Sequence, residues 1–272
     1  MNKENDMDIH ILSDLHLTKP LVVSDLKSDL CILAGDISET PLNAMLYGRR
    51  SVPNASFITQ ISGNHDCIGY SLEEGISIIE KNQTDTHVFL EDRIWYHPLK
   101  PLRVIGATLW TDLEACGNSA LFLEKYYDAI HDFKRIKNFN PEEWINRHNN
   151  SKKFILDSLN THFNGSTIVV THHLIGPNSI HDIWKSHHMT SAFVSHSLKD
   201  IYTHPDCSLI VHGHTHSNAI WRENKDSPLV VCNPMGGTMN SYHYPNPLNL
   251  EFDRNFLIEI NAKKHAFVKK VA

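Results

Sequence analysis

Five apolar runs in this sequence end alike, in a small residue followed at once by an aspartate, an asparagine or a histidine. Asp8 to Leu12 runs into Ser13-Asp14-Leu15-His16, and Leu30 to Ala34 runs into Gly35-Asp36. Phe57 to Ile61 leads to Gly63-Asn64-His65-Asp66. In the second half, Thr167 to Val170 leads to Thr171-His172-His173, and Cys207 to Val211 to Gly213-His214-Thr215-His216. The runs are short and rich in apolar residues, which reads as buried strands. In α/β sheets, loops leaving the carboxyl ends of different strands can converge on one point. A fold that honours all five endings brings these polar side chains together.

The segments between fill in an architecture. Glu73 to Lys81 carries Ile76 and Ile79 at helical spacing, which predicts a surface helix. His87 to Leu90, Arg93 to Tyr96 and Leu102 to Trp110 read as closely spaced strands at a sheet edge or in a second sheet. Beyond Thr111 the alternation stops, charge and amide content rise, and aromatic residues recur (Phe122, Tyr126, Tyr127, Phe133, Trp144, Phe154). Two helices are expected there, roughly Ser119 to Lys137 and Pro141 to Phe163, with Pro141 suited to a first turn. Ala219 to Arg222, Leu229 to Cys232, Phe256 to Ile260 and His265 to Val268 read as strands of a second sheet closing the fold. The expected fold class is therefore α/β (α+β), two mixed sheets packed as a sandwich and flanked by helices. Residues 1–272 are read as a single domain, with a helical cap inserted at about 111–163.

Composition narrows the function. A chain of 272 residues can bury a sizeable core. The net charge is −6, and basic residues form no run longer than the pairs Lys263-Lys264 and Lys269-Lys270. That balance counts against an electrostatic grip on nucleic acid. Five cysteines (Cys31, Cys67, Cys116, Cys207, Cys232), widely spaced and without a C-x-x-C, argue against a disulfide framework or a structural zinc site. Met1 to Asp8 lacks a signal-peptide pattern, and no stretch is long and apolar enough for a bilayer span. A cytoplasmic protein without a membrane partner is expected.

The five endings make little sense as packing and good sense as ligands. Two neighbouring divalent ions need a carboxylate able to bridge them, with neutral imidazoles and oxygens completing each shell. Asp14 and His16, two residues apart after a strand, can both turn toward one ion, and Asp36 is the natural bridge. Asn64 offers an uncharged oxygen, and His172, His214 and His216 add imidazoles. An all-oxygen-and-nitrogen set suits two divalent ions such as Mn²⁺, the first expectation, or Fe, Zn, Co, Ni or Mg.

In this order, D-x-H, G-D, G-N-H-D, H-H and G-H-x-H resemble the motifs of the calcineurin-like metallophosphoesterase superfamily, along most of the chain. The resemblance implies that Asp14, His16, Asp36 and His216 hold one metal, and that Asp36, Asn64, His172 and His214 hold the other. It implies His65 as the acid that assists the leaving group, with Asp66 positioning it, and His172 as the ligand in preference to His173. The activity implied is hydrolysis of a phosphodiester or phosphomonoester, such as a nucleotide-type small molecule, by a hydroxide bridging two metals. Gly35-Asp36-Ile37-Ser38-Glu39-Thr40-Pro41 departs from the protein-phosphatase branch, lacking its arginine and second glycine. Glu39 is left as the acid to pair with the catalytic histidine. The alternatives are a metal-depleted, protein-binding scaffold of the same fold, or a nuclease. His181, His187, His188 and His196 read as a polar loop, with contact to substrate as the competing reading.

Overall fold

The computed structural model describes residues 6–115, 117–236, 249–261 and 265–269. Cys116, Lys263, Lys264 and Lys270, singled out above, lie outside the described residues. The chain opens with β1 (Met7–Leu12), β2 (Ser28–Ala34), helix α1 (Pro41–Ser51), β3 (Ala55–Ile61) and α2 (Leu72–Lys81). There follow β4 (His87–Phe89), β5 (Arg93–Tyr96) and β6 (Leu102–Ala107), then α3 (Ser119–Tyr126), α4 (Asp132–Arg135) and α5 (Pro141–Asn160). The last part holds β7 (Ser166–Thr171), α6 (Lys199–Tyr202), β8 (Leu209–His212), β9 (Ala219–Trp221), β10 (Leu229–Cys232), β11 (Leu257–Ile260) and β12 (Ala266–Lys269).

These strands form two mixed six-stranded sheets, one ordered β12-β11-β1-β2-β3-β4 and the other β5-β6-β7-β8-β10-β9. In the first, β1 to β4 run parallel, and in the second, β6, β7, β8 and β10 do. Parallel strands are covered on both faces, so their sequences are largely apolar on both. On β2, Leu30, Ile32 and Ala34 point between the sheets, where they meet Ile9, Ile11, Ile168 and Val211. Cys31 and Leu33 point outward, onto Ala44 and the neighbourhood of α1. The second sheet does the same: Val104, Val170 and Val231 face inward, while Ile105, Val169 and Val230 pack against Ile155 and Leu159 of α5. Burying one such side chain contributes about 1.5–3 kcal/mol, so this sandwich is the stable platform from which the loops project.

The expected fold class holds, and three placements differ from expectation. First, β11 and β12 join the first sheet. Ile258 pairs with Ile9 and Ile260 with Met7, which covers the open edge of β1 and fills the inter-sheet core. Second, the helix expected from Ser119 to Lys137 breaks after Tyr126 into a short 3₁₀ turn and the single-turn α4. Tertiary contacts override local propensity here. The Gly69 amide donates to the Arg135 carbonyl at 2.9 Å and the Lys137 amide to Tyr70 at 2.8 Å, which ties α4 to the loop after β3. Third, α1 went unforeseen, although Pro41 at its first turn and buried Pro41, Ala44, Met45 and Gly48 at helical spacing mark it.

The aromatic residues between β6 and β7 form a small core of their own. Trp110, Phe133, Phe139 and Trp144 are buried together with Phe122, Ile130 and Ile136, and Cys67 and Leu72 join from beneath. The Trp144 indole donates to the Thr111 carbonyl at 2.9 Å. Among the described residues, no helix is long and apolar enough to cross a membrane.

Candidate metal centre

All five strand endings meet at one end of the sandwich. Hydrogen bonds beyond the strands hold the loops in register: Asp14 N to Gly35 O, His16 N to Asp36 O and Gly213 N to His172 O, each 3.0 Å. The backbone is forced at these positions. Among the described residues, nine non-glycine residues have positive φ, and five of them are Asp14, His16, Asp36, His214 and His216. Left-handed backbone costs energy for residues with a Cβ, and such outliers cluster where a structure over-determines a functional geometry.

The side chains fall into overlapping groups whose ligand-type atoms lie within 4.8 Å of one another: Asp14, His16 and His216; Asp36, His172 and His214; and His16, Asp36 and His65. Asp36 belongs to two of them and sits between the rest. Its Oδ2 is 3.7 Å from His16 Nε2 and 3.4 Å from His172 Nε2, and its Oδ1 accepts the His65 amide at 2.8 Å. Asp14 Oδ1 lies 3.4 Å from His216 Nε2, and His16 Nε2 lies 3.1 Å from the same atom. His173 takes another course. It is buried against Trp110, Trp144 and the His214 ring, and it belongs to none of the three groups.

Whether these residues suit metal ions can be judged from the proton accounting. His172 Nδ1 faces the Ala34 carbonyl at 2.9 Å and must donate to it, so the ring, when neutral, presents a lone pair at Nε2. The atom facing that lone pair, at 3.1 Å, is the amide oxygen of Asn64. Two acceptors at that separation need a cation or a proton between them. Asp14 and Asp36 are wholly buried, and imidazoles supply their ion pairs. Burial disfavours both carboxylates, but the surrounding histidines outweigh it and hold both carboxyls below their ordinary range. Burial also pulls the His172 imidazole down, yet Asp36 overrides it and raises the ring to about 9. His16, by contrast, is pushed down to about 4, chiefly by burial, and His214 is pushed well below its usual range. Without a cation, His172 thus keeps a proton on Nε2, between Asp36 and Asn64; a divalent ion would take the place of that proton, and with His16 and His214 held neutral the donor set fits.

His65 stands at the rim, its ring edge-on to His16 with centroids 4.8 Å apart. Its Nδ1 is 3.8 Å from Glu39 Oε1. Burial lowers this imidazole, but Asp36 and Glu39 more than compensate and raise it. Asp66, expected to position His65, has other partners. Its carboxylate accepts four backbone amides, from Gly63, Asp36, Ile37 and Ser38, each at 2.9 Å. The acid facing the His65 ring is therefore Glu39, and Asp66 ties the two ligand loops to each other.

Two further residues reach the site from the segment between β6 and β7, and nothing local in the sequence marked the first of them. Asp132 accepts the Asn64 amide at 2.7 Å, and Arg135 Nη2 lies 3.4 Å from Glu39 Oε2. Phe193 lays its ring on His214 at 4.7 Å. Of the histidines on the loop after β7, His188 stacks on Tyr126 at 5.9 Å.

Close backbone approach makes Gly63 sensitive. A Cβ there would meet the Asp36 carboxylate, with Cγ at 2.7 Å and the amide at 2.5 Å. Gly63→Ala is expected to lower stability by about 1–3 kcal/mol and to weaken metal binding by displacing Asp36. Urea unfolding of metal-free protein measures the first effect, and a midpoint equal to wild type would show that the loop has room to spare.

No family model and no curated protein matches this sequence. Among solved structures, the chain is similar to the crystal structure of a phosphopantetheinyl hydrolase from Mycobacterium tuberculosis. The two superpose with a TM-score of 0.65 at 14% identity, covering 85% of this chain and 90% of that one. At so low an identity the likeness establishes a shared fold.

Proposed function

We propose that this chain is a metal-dependent phosphoesterase of the calcineurin-like type, acting on a small phosphodiester or phosphomonoester. The observation that carries the reading is the His172 Nε2–Asn64 Oδ1 contact at 3.1 Å beside the buried Asp36 carboxylate, a place that takes a cation or a proton. Asp14, His16, Asp36 and His216 would hold one divalent ion, and Asp36, Asn64, His172 and His214 the other. When bound, such a pair makes water nucleophilic near neutral pH and neutralises phosphate oxygens. The similar fold of a hydrolase named for phosphopantetheinyl groups agrees with this chemistry.

The chain's own groups then divide the work. Asp36, shared between the ligand groups, fixes their separation. His65, grouped with His16 and Asp36 at the rim, has Glu39 behind its ring and is placed to give a proton from its imidazole to the leaving oxygen. Asn64, being neutral, binds without adding negative charge where a phosphate must approach. The helical segment at about 111–163 is proposed as a cap on a single domain, choosing the substrate. Its Arg135 stands beside Glu39, whereas Lys134 turns to the Asp128 carbonyl at 2.7 Å.

The test is hydrolysis of bis(p-nitrophenyl) phosphate and p-nitrophenyl phosphate by chelator-stripped protein, with and without added Mn²⁺. Turnover that appears only with the metal is expected, and the preferred ester will tell diesterase from monoesterase. Absence of both turnover and bound metal would overturn the reading.

A further inference from the structure

An asparagine side chain has two chemically different ends on one planar group, and its ligand value depends on which end faces the site. A ligand imidazole must offer its lone pair at Nε2, and beside such a ring Asn64 left to itself would turn the wrong end inward. Its NH₂ would turn toward the imidazole, make a good hydrogen bond, and leave a donor where a cation needs an oxygen. The structure shows the opposite orientation, with Oδ1 toward His172 at 3.1 Å and Nδ2 on Asp132 Oδ1 at 2.7 Å. A carboxylate only accepts hydrogen bonds, so Asp132 can hold the NH₂ end and no other. Asp132 is the first residue of α4, 68 positions along the chain from Asn64.

The helical turn that carries Asp132 is itself fastened to the loop it acts on. Arg135 O accepts the Gly69 amide at 2.9 Å, the Lys137 amide donates to Tyr70 O at 2.8 Å, and Arg135 Nη2 lies 3.4 Å from Glu39 Oε2. Phe133, between Asp132 and Arg135, is buried in the aromatic cluster with Trp144 and Phe139. Packing, backbone bonds and an ion pair thus fix where the Asp132 carboxylate stands.

From this geometry we infer that Asp132 is a positioning residue of the metal centre, locking Asn64 with its oxygen toward His172 and so setting the affinity of the second metal site. The segment between β6 and β7 is then part of the centre and not only a cover over it. The inference rests on the metal reading proposed above. It concerns a side chain that touches neither substrate nor metal. Partners at this remove from a metal typically change affinity by about 10–100-fold when lost.

The experiment uses the full chain, stripped with chelator and titrated with Mn²⁺ by calorimetry, with electron paramagnetic resonance to detect spin-coupled pairs of ions. Three proteins are compared: wild type, Asp132→Ala and Asp132→Asn. In Asp132→Ala the amide is free to flip, and the weaker of two Mn²⁺ sites is expected to lose at least about tenfold in affinity, with loss of the coupled signal. Asp132→Asn still offers an acceptor oxygen to the Asn64 NH₂, so it is expected to recover both the affinity and the coupled signal. A role confined to packing α4 would make the two variants behave alike, and that result overturns the inference. Equal Mn²⁺ affinity in wild type and Asp132→Ala overturns it as well, while leaving the metal reading intact. Failure of the wild type itself to bind Mn²⁺ removes the metal reading and the inference with it. A thermal melt of each metal-free protein shows whether Asp132→Ala folds, and Asp132→Asn supplies the comparison if it does not.

Discussion

Asp36→Ala is expected to lose both metal and turnover, whereas His65→Ala keeps its metal and loses turnover alone. The two residues touch, and the difference lies in which atoms touch. Asp36 Oδ2 is shared between His16 and His172, and Oδ1 receives the His65 backbone amide at 2.8 Å. Removing that carboxylate leaves two sets of imidazoles with no common anion in a buried site. Outer partners of a metal already cost about 10–100-fold, so loss of the shared ligand should exceed about 100-fold in affinity for a second ion. His65 holds Asp36 through its main chain, which alanine retains. Its imidazole lies toward Glu39 at the rim, outside the groups centred on Asp14 and on His214. Loss of a positioned proton donor typically costs about 10²–10⁴ in rate, while metal content should stay at the wild-type level. Metal analysis after gel filtration and turnover of the better p-nitrophenyl ester provide the two readouts. Equal metal loss in both variants would show that His65 is a ligand and not an acid.

How much of this could be read from the sequence depended on distance along the chain. The fold class was legible because parallel strands buried on both faces are largely apolar, as Leu30 to Ala34 is, and because each run ends abruptly at a polar residue. The seven candidate ligands were legible for the same local reason: each lies within a few residues of a strand's carboxyl end. What failed to show was non-local or masked by ambiguous chemistry. Asp132 meets Asn64 across 68 residues, and an aspartate at the start of a single helical turn looks like any other. The strands Leu257–Ile260 and Ala266–Lys269 could have joined either sheet, since apolar alternation names a face and not a neighbour. Helix α1 is marked in the sequence by Thr40-Pro41 and by the spacing of Ala44, Met45 and Gly48, signals as local as those of the ligands. The resemblance implied Asp66 as the residue that positions His65, whereas its carboxylate accepts four backbone amides.

Asp66→Ala is therefore expected to act first on stability and only through it on the site. Asp66 is fully buried, and each of its oxygens receives two main-chain donors: Oδ2 those of Asp36 and Gly63, Oδ1 those of Ile37 and Ser38. One carboxylate thus satisfies the turn after β2 and the turn after β3 together, and these turns carry Asp36 and Asn64. Burial, and after it the charge of Asp36, push this carboxyl up to about 7, against the pull of the Gly63 and Ser38 amides. Alanine would leave four buried donors without an acceptor. At about 1–3 kcal/mol for each orphaned group, the low end of the range already gives about 4 kcal/mol. Asp66→Asn keeps one acceptor oxygen and turns an NH₂ toward two amides, so about half of that loss is expected. Urea unfolding of the chelator-stripped proteins, followed by tryptophan fluorescence, measures both without interference from metal. If Asp66→Ala unfolds within about 1 kcal/mol of wild type while turnover collapses, the carboxylate acts on His65 after all, because four unpaired amides could not be that cheap. A large loss of stability in Asp66→Ala, about halved in Asp66→Asn, places the residue where its hydrogen bonds do, as the joint between two ligand loops.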